Sequence, residues 1–290
     1  MADKQGQAEI RDLFIDKLVK GFAEEELTFK NLVTTGPTSA REVRWQQKTA
    51  GFLTSPTTTG VTTDMIHTSE GSKPVVIAQS WIKNTSYVQP WKAETETISD
   101  EDIKDNMVDI LAAHIRDVTR AVQKKVNDHI WSKLNAIPLS GSAYGALGWQ
   151  TASYGGDPID DIEEAKQSIR EYNYEPTHII MPPKSYRLLV SWLFNKGAQA
   201  PTLGASLAST GQMVQISNLN VVVSNSASYA SGAVYIGAPK RAVTYREFMG
   251  LKSATIEDPM IGIKVRVGEE GVGMLTDPYA GYLIKAVYAT

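Results

Sequence analysis

Hydrophobic positions recur along this chain with two periods, and the switches between them divide it into segments. The longest helical pattern runs from Ser99 to Leu134. Ile103, Met107, Ile110, Leu111, Ile115, Val118, Val122, Val126, Ile130 and Leu134 fall mostly three or four residues apart, on one helix face. Neither Pro nor Gly interrupts the run. Ser99 and Asp102 make a capping-box-like start, and Asp100, Glu101, Asp102 and Asp105 suit the positive helix end. At 1.5 Å per residue the predicted helix is ~54 Å long against a domain diameter of ~35 to 40 Å, so it acts as a beam.

Ahead of the beam, residues 8 to 33 predict a helix with Ile10, Leu13, Phe14, Leu18, Val19 and Phe22 on one face. It is either an ordinary surface helix or a terminal arm that packs on a neighbouring chain. From Thr34 to Thr97 the character changes to Thr, Ser, Gly, Pro and Lys, with strand-like runs at 42 to 48 and 73 to 88 around the Thr-rich stretch TSPTTTGVTTDMIHTSEG. This predicts a long two-stranded excursion. An isolated ribbon is marginal in water, so Trp45, Trp81, Tyr87 and Trp91 on it call for a packing partner, most naturally a second subunit.

Beyond the beam, residues 137 to 158 read as a Gly- and Ser-rich loop. Asp157 as N-cap and Pro158 at the first position open a helix with Ile159, Ile162, Ala165, Ile169 and Tyr172 on one face. Glu175-Pro176 stops it, His178 to Met181 is a buried strand, and Pro183 opens another helix through Leu188, Leu189, Trp192 and Leu193. A loop at 197 to 212 precedes strands at 213 to 216, 220 to 224, 233 to 237 and 242 to 247. Ile263, Val265 and Val267 alternate with Lys264 and Arg266 as in a half-buried antiparallel strand. Gly268 to Gly271 reads as a turn, and 282 to 288 as a closing strand.

Composition narrows the function classes. Hydrophobic residues make up 42% of 290, enough for a sizeable core, and a net charge of −3 argues against a protein that wraps nucleic acid in a basic surface. Without cysteine there is no disulfide framework, thiolate metal site or thiol nucleophile. No secretory signal is expected at the N-terminus and no membrane span anywhere, so the chain is expected to be cytosolic where it is made, and Asn84-Thr85-Ser86 is an incidental glycosylation match. His67, His114, His129 and His178 are scattered, His114 and His129 lying ~22 Å apart along the beam, too far for shared ligation. The acids at 99 to 105 and Asp160, Asp161, Glu163 and Glu164 sit at helix starts, where the dipole explains them. Gly268, Gly271 and Gly273 lack the Lys-Ser/Thr and the helix of a phosphate-binding loop. Arg41, Arg44, Lys48 and Lys73 on the excursion either touch an acidic partner or guard a ribbon edge. No catalytic, cofactor-binding or metal-binding residues are expected, and no cofactor.

The succession of arm, Thr-rich β excursion, beam helix, Gly-rich hinge, α/β domain and closing strands resembles the major capsid protein of tailed double-stranded DNA bacteriophages, the Hong Kong 97 fold. The likeness spans essentially the whole chain. It includes YEPTHIIMPPKSYRLLVSW and VVVSNSASYASGAVYIGAPKRAVTYRE, similar to a strand, Pro and Tyr-bearing helix and to a late strand pair in such proteins. The resemblance implies an α+β fold with an N-terminal arm at 1–38 and an extended β-hairpin loop at 39–97. A peripheral domain would hold the spine helix (98–138 plus 248–276), and an α/β axial domain the rest (139–247 plus 277–290). It implies a non-enzymatic structural protein that self-assembles as pentamers and hexamers into an icosahedral shell around double-stranded DNA, contacted weakly, in the virion after assembly in the host cytoplasm. Expected partners are a separate scaffolding protein, since only a short arm precedes the loop, a portal and a decoration protein. Some relatives crosslink Lys to Asn beside a Glu. Lys83 and Asn84 lie in the loop, but no Glu is identified as aimed at them, and no crosslink is inferred. The alternatives are an encapsulin-type nanocompartment enclosing enzyme cargo, its groove lined by residues 8 to 33, and a soluble α+β enzyme.

Overall fold

Most apolar stripes find partners far away in the sequence. The computed structural model describes residues 15, 17–20, 29–49, 70, 71, 81–99, 110–143, 148–150, 156–195, 215–225, 232–258 and 261–287. In chain order the elements are β1 (Thr34–Pro37), β2 (Glu42–Lys48), β3 (Trp81–Tyr87), β4 (Gln89–Glu94), β5 (Ile98–Ser99), α1 (Ile110–Leu134), β6 (Ser140–Ser142), α2 (Pro158–Arg170), β7 (His178–Met181), α3 (Pro183–Asn195), β8 (Gln215–Ile216), β9 (Leu219–Val223), β10 (Val234–Gly237), β11 (Val243–Asp258), β12 (Gly262–Leu275) and β13 (Gly281–Lys285). The chain divides into two compact units, one of residues 1–43, 85–130 and 245–273, the other of 44–84, 131–244 and 274–290.

In the first unit β12 is the pivot. Its sheet runs β1-β11-β12-β4, and β5 also pairs with β12. Val265 and Val267 of β12 join Ile115 and Val122 of α1 and the helical residues Ile15 and Val19 in one core cluster. Of the stripe expected of the N-terminal helix, Val19 is therefore packed within the chain itself, beside Ile15, which that stripe did not include.

The second unit holds a sheet of order β6-β13-β10-β7-β9-β8. β7 pairs parallel with β9 and antiparallel with β10. Ile179, Ile180 and Met181 are fully buried, as a strand covered on both faces requires. Asp157 caps α2 by accepting the Ile159 and Asp160 N–H groups, and Pro158 follows at the first helical turn. The buried stripe of α2 is Ile162, Ala165 and Ile169.

Several expectations are corrected. Ser99 does not start a helix: Ile98 and Ser99 pair with Ile263 and Gly262, and Ile98 is buried. The described helix begins at Ile110 and is ~37 Å long, while 100–109 lie outside the described residues. Gly268–Gly271 is not a turn but the middle of β12, paired with Lys92 to Gln89 of β4. Gly271 lies under the Tyr245 hydroxyl, with no room for a Cβ, which is why a glycine reads as a turn signal yet sits mid-strand. Ser140–Ser142, expected as loop, forms an edge strand parallel to β13. Strand β13 ends at Lys285, with Ala286 in the left-handed region (φ 55°), so the closing strand is shorter than expected. The strands expected at 242 to 247 and 263 to 267 are parts of the much longer β11 and β12.

Candidate assembly surface and its anchors

Strands β2 and β3 pair with each other in a two-stranded sheet. Asn84 Nδ2 donates to Gln47 Oε1 across the pair at 3.0 Å. On β3, Trp81 is 43%, Ile82 52% and Tyr87 68% exposed. Large apolar side chains grouped on so thin an element mark a surface built to be covered. Trp45 is half-buried on β2. Trp91 departs from expectation: it lies in β4, packed on the first unit's core, with its ring 5.1 Å from His129 and 6.4 Å from Tyr245. An exposed ribbon was the wrong setting for it because the strand pairing changes partner between Tyr87 and Gln89.

At the base of β2, Lys48 is fixed inside the second unit. Its N–H donates to Thr276 O at 3.1 Å, and its Nζ donates to Asp277 Oδ2 at 2.9 Å and Tyr174 Oη at 3.0 Å. The Tyr174 hydroxyl donates to the same Asp277 oxygen, and Tyr279 donates to Thr49 O at 2.9 Å. Burial works against the Lys48 charge, but the hydrogen bonds to Asp277 and Tyr174 outweigh it, and its pKa is raised. Burial, with the hydrogen bond to Asp277, also pushes the Tyr174 phenol up. Asp277 Oδ1 is buried without a partner. The acid is thus committed to one oxygen shared by two donors.

The first unit concentrates charge on β12. Glu269 is wholly buried: Lys30 forms an ion pair with it, Tyr245 donates to Oε1 at 2.8 Å and Gln123 Nε2 to Oε2 at 3.1 Å. Burial, then the charge and hydrogen bond of Glu269, push the Tyr245 phenol far up, so it stays a donor. Glu270, next in the strand and so on the opposite face, meets Lys92 at 2.9 Å and Arg41 at 3.6 Å. Arg41 O also accepts the Val88 N–H at 2.9 Å, which fixes the root of the excursion. Of the basic residues singled out in sequence, Arg41 and Lys48 meet acids of their own chain, Arg44 is exposed and Lys73 lies outside the described residues.

The remaining candidates have ordinary roles. His129 Nε2 accepts the Gly273 N–H at 3.0 Å. His178 is half-buried with Nδ1 2.8 Å from the Thr177 hydroxyl, and burial lowers its pKa. His67 and the acids at 100–105 lie outside the described residues. Asp161 is buried and accepts from Trp149 Nε1 at 2.7 Å, while Glu163 pairs with Lys166 at 2.8 Å. Lys83 is exposed. Among the described residues no three His, Asp or Glu group as a metal site, and no helix is long and apolar enough to cross a membrane. Sequence reasoning missed Glu269 and Glu270, whose signal was only two acids inside an apolar alternation.

A family model described as phage capsid protein matches residues 83–284, more than half the chain. The chain belongs to the phage capsid protein family. Solved structures extend the likeness in fold over nearly the whole chain. A virus-like particle protein from Pyrococcus furiosus aligns with TM-score 0.63 at 10% identity, covering 95% of this chain and 99% of that one. A Mycobacterium phage Che8 protein aligns with TM-score 0.62 at 14% identity, covering 90% and 92%. A phage-related protein of Bordetella bronchiseptica RB50 aligns with TM-score 0.58 at 16% identity, covering 96% and 98%. No curated protein matches in sequence. The fold is Hong Kong 97-like, α+β, and this major capsid protein is a structural, shell-forming chain.

Proposed function

We propose that copies of this chain assemble as pentamers and hexamers into an icosahedral shell that encloses a double-stranded DNA genome. The observation that carries this reading is the β2–β3 ribbon, which presents Trp81, Ile82 and Tyr87 to solvent while its roots are pinned by Lys48 and Arg41. Covering those side chains with a second copy removes apolar surface at roughly 25 cal/mol per Å². Many modest contacts per subunit then sum in a closed, symmetric shell. In this reading residues 1–38 are the N-terminal arm and 39–97 the extended loop. Residues 98–138 plus 248–276 form the peripheral domain, and 139–247 plus 277–290 the axial domain. Scaffold, portal and decoration proteins are the further partners, and assembly takes place in the host cytoplasm. The chain has no enzymatic role.

Negative-stain microscopy and size-exclusion chromatography of the protein expressed alone, and with a scaffolding protein, test the reading. Shells, capsomers or tubes are expected, and a Trp81→Ser/Ile82→Ser/Tyr87→Ser variant is expected to lose them while staying folded. If that variant assembles as well as the wild type, the ribbon is not the adhesive element. A second reading, an encapsulin-type compartment enclosing enzyme cargo, draws on the likeness to the Pyrococcus furiosus particle. Nucleic acid or enzyme inside the purified particles separates the two.

A further inference from the structure

The ribbon of β2 and β3 is held differently at its two ends. At the root, Gln89 to Glu94 of β4 pair with Gly271 to Arg266 of β12, Trp91 packs on the core cluster, and Arg41 and Lys92 meet Glu270. Val88, where the chain changes strand partner, is tied to Arg41 O. The far end lacks such a core, since no residue of β2 or β3 is fully buried. What holds Lys48 is polar. Its N–H reaches Thr276 O, its ammonium reaches Asp277 and Tyr174, and Tyr279 donates to Thr49 O. The ammonium also lies 6.0 Å from the centre of the Trp81 ring and 5.7 Å from that of Tyr174.

This node carries an unmet demand. Lys48 and Tyr174 both donate to Asp277 Oδ2, whereas Oδ1 of the same carboxylate, in a residue only 5% exposed, meets no donor among the described residues. A buried acceptor without a donor favours any state in which water reaches it. A buried ion pair, for its part, adds little net stability because desolvation offsets the attraction. The docked ribbon is therefore well specified and lightly held.

We propose that the Lys48–Asp277–Tyr174 node is a releasable catch: it docks the Lys48 end of the ribbon, and its opening frees β2 and β3 to swing about Val88 while β4 stays in its sheet. Opening carries Lys48 and Trp81 into water and hydrates both oxygens of Asp277. An element with few buried apolar contacts is where local opening is expected. The use of the catch rests on the capsid reading, in which a ribbon with two positions presents Trp81, Ile82 and Tyr87 to a second copy in more than one direction. The catch itself belongs to the single chain.

Amide hydrogen exchange on the full-length, unassembled chain, resolved by residue, tests it. In the wild type the Lys48 amide is expected to exchange about tenfold or more faster than two references, the amides of Ile179 and Ile180 in β7 and those between Arg266 and Gly271 in β12. Lys48→Met is expected to speed exchange across 44–48 and 81–85 by about a further tenfold and to leave both references unchanged. Tyr174→Phe, the milder variant should Lys48→Met fail to fold, is expected to give a rise of about threefold at the same positions. A wild-type Lys48 amide as slow as the references overturns the proposal, because the ribbon then opens only with the whole fold. So does a Lys48→Met variant whose exchange rises evenly along the chain, which makes Lys48 a general support. Microscopy of the same variants reads shell formation separately, so a failed catch with intact shells leaves the capsid reading standing.

Discussion

The two sheets bury their central strands by opposite means. β7 is covered on both faces and is purely apolar from Ile179 to Met181, whereas β12 carries two adjacent buried carboxylates, Glu269 and Glu270. An apolar strand gains free energy from packing and tolerates swaps of similar volume. A buried ion pair contributes little net stability, because desolvation offsets the attraction, but removal of one partner leaves an uncompensated charge. The central strand of the second sheet is therefore set by volume alone, while that of the first adds charge pairing to the apolar packing of Val265 and Val267. Pairing specifies which segments meet: Lys30 and Gln123 on one face, Lys92 and Arg41 on the other.

The sharpest way to break this contrast is to remove one charge. Glu269→Ala leaves Lys30 with only the more distant Glu247, at 3.9 Å, and takes the acceptor from Tyr245 and Gln123; it is expected to destabilise by ~3–5 kcal/mol in urea unfolding, while Lys30→Met with Glu269→Leu is expected to recover part of that. A simple additive loss in the double variant would equate the two sheets. Ile180→Ala in β7 is expected to cost ~2–4 kcal/mol, and Ile180→Val ~1, a graded dependence on volume absent at position 269.

Lys48→Met sharpens the picture further, since it leaves Asp277 with one donor. A loss of roughly 1–2 kcal/mol is expected. Because the Lys48 pKa is raised on folding, its contribution is present below its ordinary value of 10.5 and fades as pH rises through the folded value. Thermal melts should fall as pH rises above 10.5 in the wild type and stay flatter in Lys48→Met. The smallest effect is expected from Asp157→Ala, about 1 kcal/mol through loss of the α2 cap, read as a small drop in melting temperature.

Local signals were legible where the responsible group is a near neighbour. Asp157 and Pro158 announced α2, and the apolar run at 178 to 181 announced β7, because a cap and a doubly covered strand are written in consecutive residues. The capsid resemblance came from the order of such elements. What stayed hidden depends on distant partners. Gly268-Glu269-Glu270-Gly271 looks like a turn until Lys30 and Lys92 neutralise its acids and Tyr245 donates to Glu269 and lies over Gly271. Trp91 belongs to the core for the same reason, since its strand pairs with residues almost two hundred positions later.

The placement of β13 bears on synthesis. It lies between β6 and β10, pairing with both, yet is the last of that sheet's strands to be translated. A nascent chain therefore holds an open seam along β10 until residue 285 has left the ribosome. Chains cut short before residue 281 lack the strand that fills that seam and are expected to be targets for chaperones and proteases. Completion of this sheet thus waits on the five residues 281–285.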